Sequence, residues 1–273
     1  MDHRRGVATG PPEQLRARLL GAWDALLPLA GGLAPERLGA LAELGSWPER
    51  PVLARLLAQA GGEEAGPEAA RQDHARDGRD AVLAALERAG RRVAGALDAI
   101  EADPPLGLTV LESPLGPLPL LTQVHAMAHE LALAAIGSGA DPVPEAITDA
   151  GVAALVDVVG ALAHRQGLRA AAGVWGPGSG GWSFRADPDG WETLGGPADV
   201  PGVEGAAATV LGVPNGRAAL PSLLARGEVR LHRIGGLMAL APLVEQVPGL
   251  PGGALLRRAV GAVGLLGRLP GMR

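Results

Sequence analysis

Residues 124–133 read Val124-His125-Ala126-Met127-Ala128-His129-Glu130-Leu131-Ala132-Leu133, an apolar, alanine-rich run that carries two imidazoles. On an α-helix a four-residue spacing puts both rings on one face, with Cβ atoms roughly 6 Å apart. Two readings stay open at this point. The pair is half of a metal site, or it is a core pair in a hydrogen-bond network; a cation needs at least one more ligand than the two imidazoles supply. The stretch is not the zinc-protease signature, which places glutamate directly after the first histidine. Ala126 stands there, and Glu130 lies about 100° further round the helix than His129.

The segments before this run read as helices that could enclose it. Pro11-Pro12-Glu13 is a helix start, and Leu15, Leu19, Trp23 and Leu26 form one apolar stripe behind it. Gly45 to Pro51 is a turn leading to a second helix with Val52, Leu53, Leu56 and Leu57 apolar, and 61–76 is a polar loop or frayed helix. Asp77 to Asp98 reads as a long amphipathic helix, with Val82, Leu83, Leu86, Val93 and Leu97 inward and Arg79, Glu87, Arg88, Arg91 and Arg92 outward. Asp103-Pro104-Pro105 stops it, and Leu108 to Leu121 is extended and proline-punctuated. Pro119 then precedes the histidine helix, which Gly137 to Pro144 ends. A further helix runs from about Pro144 to Gln166. Helices joined in this way describe a four-helix bundle over residues 1–167.

From residue 168 the pattern changes to a smaller α+β domain, 168–273. Asp187-Pro188-Asp189-Gly190 is a turn between the short extended runs Trp182–Arg185 and Trp191–Leu194, a hairpin signal. Val203 to Leu211 reads as a strand end followed by a helix, and Glu228 to Ile234 alternates as a half-buried strand does. Gly236 to Val247 reads as one more helix. The tail, Leu255 to Leu269, reads as an amphipathic basic helix that packs on its own domain, with contact to a membrane surface the alternative. The fold class expected is therefore α+β overall, a helical bundle followed by the smaller domain.

Composition narrows the function. The net charge of −5 argues against a nucleic-acid partner, which calls for a basic footprint. No uncharged apolar run reaches the ~18 residues of a transmembrane segment, and the first residues lead to no apolar signal region, so the expected location is cytoplasmic. With no cysteine, any thiol chemistry needs a small-molecule thiol. The oligomeric state expected is monomer or homodimer.

The other candidate residues are weaker. His74 sits in an Arg/Asp-rich stretch and reads as solvated, with a role as an extra metal ligand the alternative. His164 suits a helix C-terminus, and His232 lies in an alternating strand with its ring toward solvent. Gly45-Ser46-Trp47 and Gly178-Ser179-Gly180 lack nucleophile-elbow context, and Gly176 to Gly181 matches neither the phosphate-loop nor the dinucleotide pattern.

In order, these pieces resemble the mycothiol-dependent maleylpyruvate isomerase family of actinobacteria, whose N-terminal half is a DinB-like metal-binding bundle and whose C-terminal half is a sterol-carrier-like domain. Gly45-Ser46-Trp47 with Val52-Leu53-Ala54-Arg55-Leu56, Ser113-Pro114-Leu115-Gly116, Val124 to Gly137, Ala206 to Arg217, and Arg226-Gly227-Glu228-Val229 carry the resemblance. It implies a zinc-like divalent cation held by a histidine of the second helix and a Glu-or-His-x-x-x-His pair. His129 matches the last ligand and His125 the one before it. Arg55 stands where the first is expected, and an arginine repels a cation. The resemblance thus implies a degenerate metal site in which Arg55, His125 and His129 bind a small anionic or thiol-linked ligand. Its alternatives are an active metal- and mycothiol-dependent isomerase or thiol transferase, and a non-catalytic carrier of apolar ligands centred on the second domain.

Overall fold

The computed structural model describes residues 4–45, 78–176, 180–196, 199–213 and 219–246. The second helix with Arg55, the polar stretch with His74, and the basic tail from Leu255 lie outside the described residues. The chain divides into two compact units. Of the described residues, those within 5–113 and 117–155 form a helical unit. Arg4, residues 114–116 and those from 156 onward form the other, which contains a five-stranded sheet. The protein is of mixed α+β class.

The helical unit is built on α1 (Pro12–Gly32), the short α2 (Gly39–Ala42), α3 (Arg79–Ala102), α4 (Pro104–Leu108), α5 (Leu120–Gly137) and the first half of α6 (Glu145–Arg165). Pro12 opens α1, where a missing N–H costs nothing. Leu15, Leu19, Trp23 and Leu26 recur at the helical period and are buried. They meet the buried stripe Val82, Leu86, Ala89, Val93 and Leu97 of α3, against which α1 packs. Each fully buried leucine contributes about 2 kcal/mol relative to exposure.

One close contact fixes how α1 and α3 approach. Trp23 Nε1 donates to the Leu86 carbonyl at 3.1 Å, inside a helix whose own ladder already uses that oxygen. The indole can come this close only because residue 90 is glycine: a Cβ there would lie 2.6 Å from Trp23 Cδ1. Arg16 forms ion pairs with Asp98 and, at 3.8 Å, with Glu101 along the same seam. Surface pairs of this kind add little stability, so register rests on the buried contact.

Ala102 ends α3, and the two prolines that follow it start α4 rather than an extended run, because proline is well suited to a helix's first turn. After α4 the chain forms a two-stranded ladder, β1 (Val110–Leu111) with β2 (Leu118–Pro119). Helix α6 is the one described helix long and apolar enough to cross a bilayer; it carries Asp149 and Asp157, and most of it is buried in the protein.

The sheet unit orders its strands β5-β4-β3-β6-β7: β5 Gly190–Gly195, β4 Gly181–Asp187, β3 Ala170–Trp175, β6 Gly202–Gly205 and β7 Val229–His232. Only β3 and β6 run parallel. The β4–β5 hairpin turns at Asp187–Gly190, with Asp187 Oδ1 accepting from the Asp189 N–H at 2.9 Å. The strand that sequence reading missed is β3, Ala170-Ala171-Ala172-Gly173-Val174-Trp175. It is the central strand, paired on both edges, and its small residues give no alternation to detect. The expected single helix over Gly236 to Val247 is a broken one: Ile234–Leu237, a 3-10 turn Met238–Leu240 and Ala241–Gln246. Gly236 packs on Pro201, so closely that a Cβ would sit 3.0 Å from the proline Cβ.

One face of the sheet is covered by the second half of α6. Asp157, Gly160 and His164 recur on one helical stripe and meet the hairpin. Asp157 Oδ1 accepts from Trp191 Nε1 at 3.0 Å and from Thr193 Oγ1 at 2.6 Å, with the aspartate fully buried. Gly160 admits Trp191 and Phe184, both buried; a Cβ would lie 2.9 Å from Trp191 Cδ1. Arg4 closes the hairpin's other side, 2.5 Å from Asp187 and 2.9 Å from Glu192. This guanidinium holds the Asp187 carboxyl below its ordinary range.

Two substitutions test this packing. Gly90→Ala forces a methyl into Trp23 and should lower stability by about 1–3 kcal/mol. Gly95→Ala in the same helix, where a Cβ meets open space, should raise it by about 0.5–1 kcal/mol. Urea unfolding midpoints that move the same way for both would contradict the contact. Asp157→Ala should cost about 3 kcal/mol through the two donors it strands, with loss of the near-ultraviolet dichroism of Trp191; a neutral result would remove Asp157 as the hairpin's anchor.

Candidate functional site

The histidine helix α5 begins where the β1–β2 ladder delivers it. The Leu120 N–H donates to the Thr109 carbonyl at 2.8 Å. Gln123 Nε2 donates to the Leu111 carbonyl at 2.7 Å and to the Leu118 carbonyl at 2.9 Å, one on each strand. A single amide thus ties both strands to the first turn of α5 and sets its rotation. Neighbouring α1, α2, α4 and the 3-10 turn at residues 6–9 pack around the helix. Leu120, Leu121, Val124, Met127, Ala128, Leu131, Ala132 and Ala135 are buried, so α5 is enclosed on most of its circumference.

Polar groups in such a helix are costly, and three lie on one stripe. His125 is fully buried, as is Thr122 three residues earlier. Both ring nitrogens of His129 are out of reach of solvent and make no hydrogen bond of normal geometry. The Gly151 carbonyl of α6 favours the charged ring, but burial is the larger effect and depresses the His129 pKa to about 4. At neutral pH His129 is therefore an uncharged imidazole with a lone pair, which is the form that binds metals.

The structure brings His125 and His129 onto one face of α5, as their spacing predicts, with His125 fully buried and His129 half-buried. Arg55 and His74, the other expected site residues, lie outside the described residues. Among the described residues no three His, Cys, Asp or Glu side chains converge as a metal site would need. Two imidazoles stand on this face, and the described residues supply no third ligand for a cation. Glu130 is half-buried and on a different side of the helix from the pair.

The remaining described histidines are anchored elsewhere. His164 Nδ1 donates to the Asp187 carbonyl at 2.9 Å, and its ring lies 5.7 Å from that of Trp191. That agrees with a structural role, although the partner is a hairpin carbonyl rather than the helix terminus. His232, half-exposed, pairs its Nε2 with Glu204 Oε2 at 2.7 Å beside the Trp175 ring at 5.4 Å.

The depressed pKa of His129 has a definite sign in stability. Between its ordinary value near 6.5 and the folded value of about 4, the unfolded chain takes a proton that the folded protein refuses. The contribution is complete above pH 6.5 and is lost as the pH falls toward 4, by at most about 1.4 kcal/mol per pH unit. Urea midpoints of the metal-free protein from pH 7 to 4 should fall less steeply for His129→Leu than for the wild type. Parallel curves would mean that His129 is not buried uncharged.

No family model matches the chain, and neither does any curated protein. Among solved structures it is similar to the mycothiol-dependent maleylpyruvate isomerase, at 16% identity over 79% of this chain and 93% of that chain, with a TM-score of 0.49. A mutant of the same enzyme aligns over the same shares at 16% identity and a TM-score of 0.46. This is a distant structural relationship and carries no statement about chemistry.

Proposed function

We propose that the protein is maleylpyruvate isomerase-like, with a divalent cation of the zinc class bound through the imidazoles of His125 and His129. Its cosubstrate in this reading is a low-molecular-weight thiol such as mycothiol. The observation that carries the proposal is the state of His129: half-buried with both ring nitrogens out of reach of solvent, uncharged, and with neither ring nitrogen in a hydrogen bond of normal geometry. The neutral His129 imidazole offers a lone pair, which suits a soft or borderline Lewis acid. It supplies no positive charge, so it favours a cation over an anion beside it.

When bound, such a cation lowers the proton affinity of a thiol that joins it. The chain has no cysteine of its own, so that thiol comes from solution. The task of the protein is then one of placement. Gln123 sets the rotation of α5, the apolar neighbours of α5 keep water from the rings, and burial keeps His129 deprotonated well below neutral pH. The sequence resemblance at 113–116 and 124–137 supports the same assignment.

Arg55 is the rival to this reading, since a guanidinium near the pair would turn it into an anion pocket. Metal analysis of protein prepared without a histidine tag separates the two. Stoichiometric zinc or cobalt(II) uptake by the wild type, weakened roughly 10–100-fold or more in His125→Ala and His129→Ala, is the expected outcome. Uptake that appears only in Arg55→His would assign a degenerate site to this chain. No uptake by either protein would sink the metal reading altogether.

A further inference from the structure

Strand β5 is an edge of the five-stranded sheet. An edge presents unpaired N–H and C=O groups, which proteins commonly cover. Here the start of the edge is covered by Arg4, from the far N-terminal end of the sequence. The Trp191 N–H donates to the Arg4 carbonyl at 3.2 Å. Gly190 makes room for this approach: it has φ +153°, and a Cβ there would lie 2.1 Å from the same oxygen. The Arg4 guanidinium then spans the hairpin, 2.5 Å from Asp187 and 2.9 Å from Glu192. In the strand register Asp187 pairs with Gly190 and Arg185 with Glu192. The two acids are therefore diagonal neighbours on one face, one from each strand.

Two separate sets of contacts hold these pieces. The hairpin is held by its own ladder, by the two donors to the buried Asp157, and by His164 Nδ1 on the Asp187 carbonyl. None of these contacts involves Arg4. Those that do lie at the surface, where the side chains of Arg4, Asp187 and Glu192 are 38%, 32% and 37% exposed. Ion pairs at that exposure are weak and screened by salt. Arg4 is also the only described residue before Pro114 that belongs to the sheet unit. Its attachment is thus a point, and the chain turns at Gly6 two residues later, with φ +55°.

We infer that Arg4 makes the N-terminal segment a salt-releasable strap on the β4–β5 hairpin. Attached at low ionic strength, the strap covers the Trp191 N–H and sets a guanidinium against the two acids. Released at high ionic strength, it opens that N–H on the sheet edge, with two carboxylates beside it, while the hairpin keeps its place on α6. The order of strengths produces this behaviour, because the exposed ionic contacts give way before the buried ones. The inference is independent of the metal reading above.

Amide hydrogen exchange of the full chain, resolved by residue, tests the strap with the β4 amides as internal reference. Between about 0.01 M and about 1 M sodium chloride, the Trp191 amide should exchange roughly two- to tenfold faster relative to that reference. Arg4→Gln at low salt should match the wild type at high salt and lose the salt response. Glu192→Gln, which removes one of the two pairs, should fall between them. Both variants should keep the near-ultraviolet dichroism of the folded hairpin. A Trp191 amide whose exchange ignores salt overturns the strap, as does Arg4→Gln protein that exchanges like the wild type at low salt. If the β4 amides quicken in step with Trp191, or the near-ultraviolet signal is lost, the hairpin opens as a whole and the inference is equally overturned.

Discussion

Placing imidazoles and a hydroxyl on the most enclosed helix of an alanine- and leucine-rich unit is the constraint on which much else depends. Each buried polar group without a partner opposes folding by about 1–3 kcal/mol. The apolar seam between α1 and α3 and the enclosure of α5 have to offset that. The tight approach of Trp23 to Gly90 and the Gln123 clamp are consistent with this demand: the first gains packing in a unit with few aromatics, and the second fixes α5 so that its polar stripe stays on one side.

The sheet unit solves a related problem differently. Its buried Asp157 has its donors built in, from Trp191 and Thr193 on the same strand, whereas the buried Ser183 hydroxyl makes no hydrogen bond among the described residues. Arg4 performs the same service for the two acids of the hairpin from the far end of the sequence. Polar groups there hold strands to one another and to α6.

Much of this was legible in the residues themselves. The 3.6-residue stripe of α1, the long α3, the histidine helix and the Asp187–Gly190 turn all follow from local chemistry acting over a few positions. What could not be read depends on partners far away in sequence. β3 is a strand because β4 and β6 flank it, not because its alanines favour extension. Gln123 looks like a surface glutamine until the Leu111 and Leu118 carbonyls are in place. The proline pair at 104–105 is ambiguous by itself, since the same residues stop one helix and start the next. The stripe that includes Thr122 was available from helical spacing, but a threonine in an apolar run gives no sign of whether its hydroxyl is satisfied.

The placement of the tryptophans also has a spectroscopic meaning. With no tyrosine and a single phenylalanine, ultraviolet emission comes from indoles alone. Trp23 sits within the helical unit, while Trp175, Trp182 and Trp191 sit in the sheet unit. Trp191 also has the His164 ring beside it, 5.7 Å between centroids. Each unit thus holds a native optical reporter in its interior: Trp23 lies one helix away from the histidine stripe, and Trp191 lies at the joint of hairpin and helix.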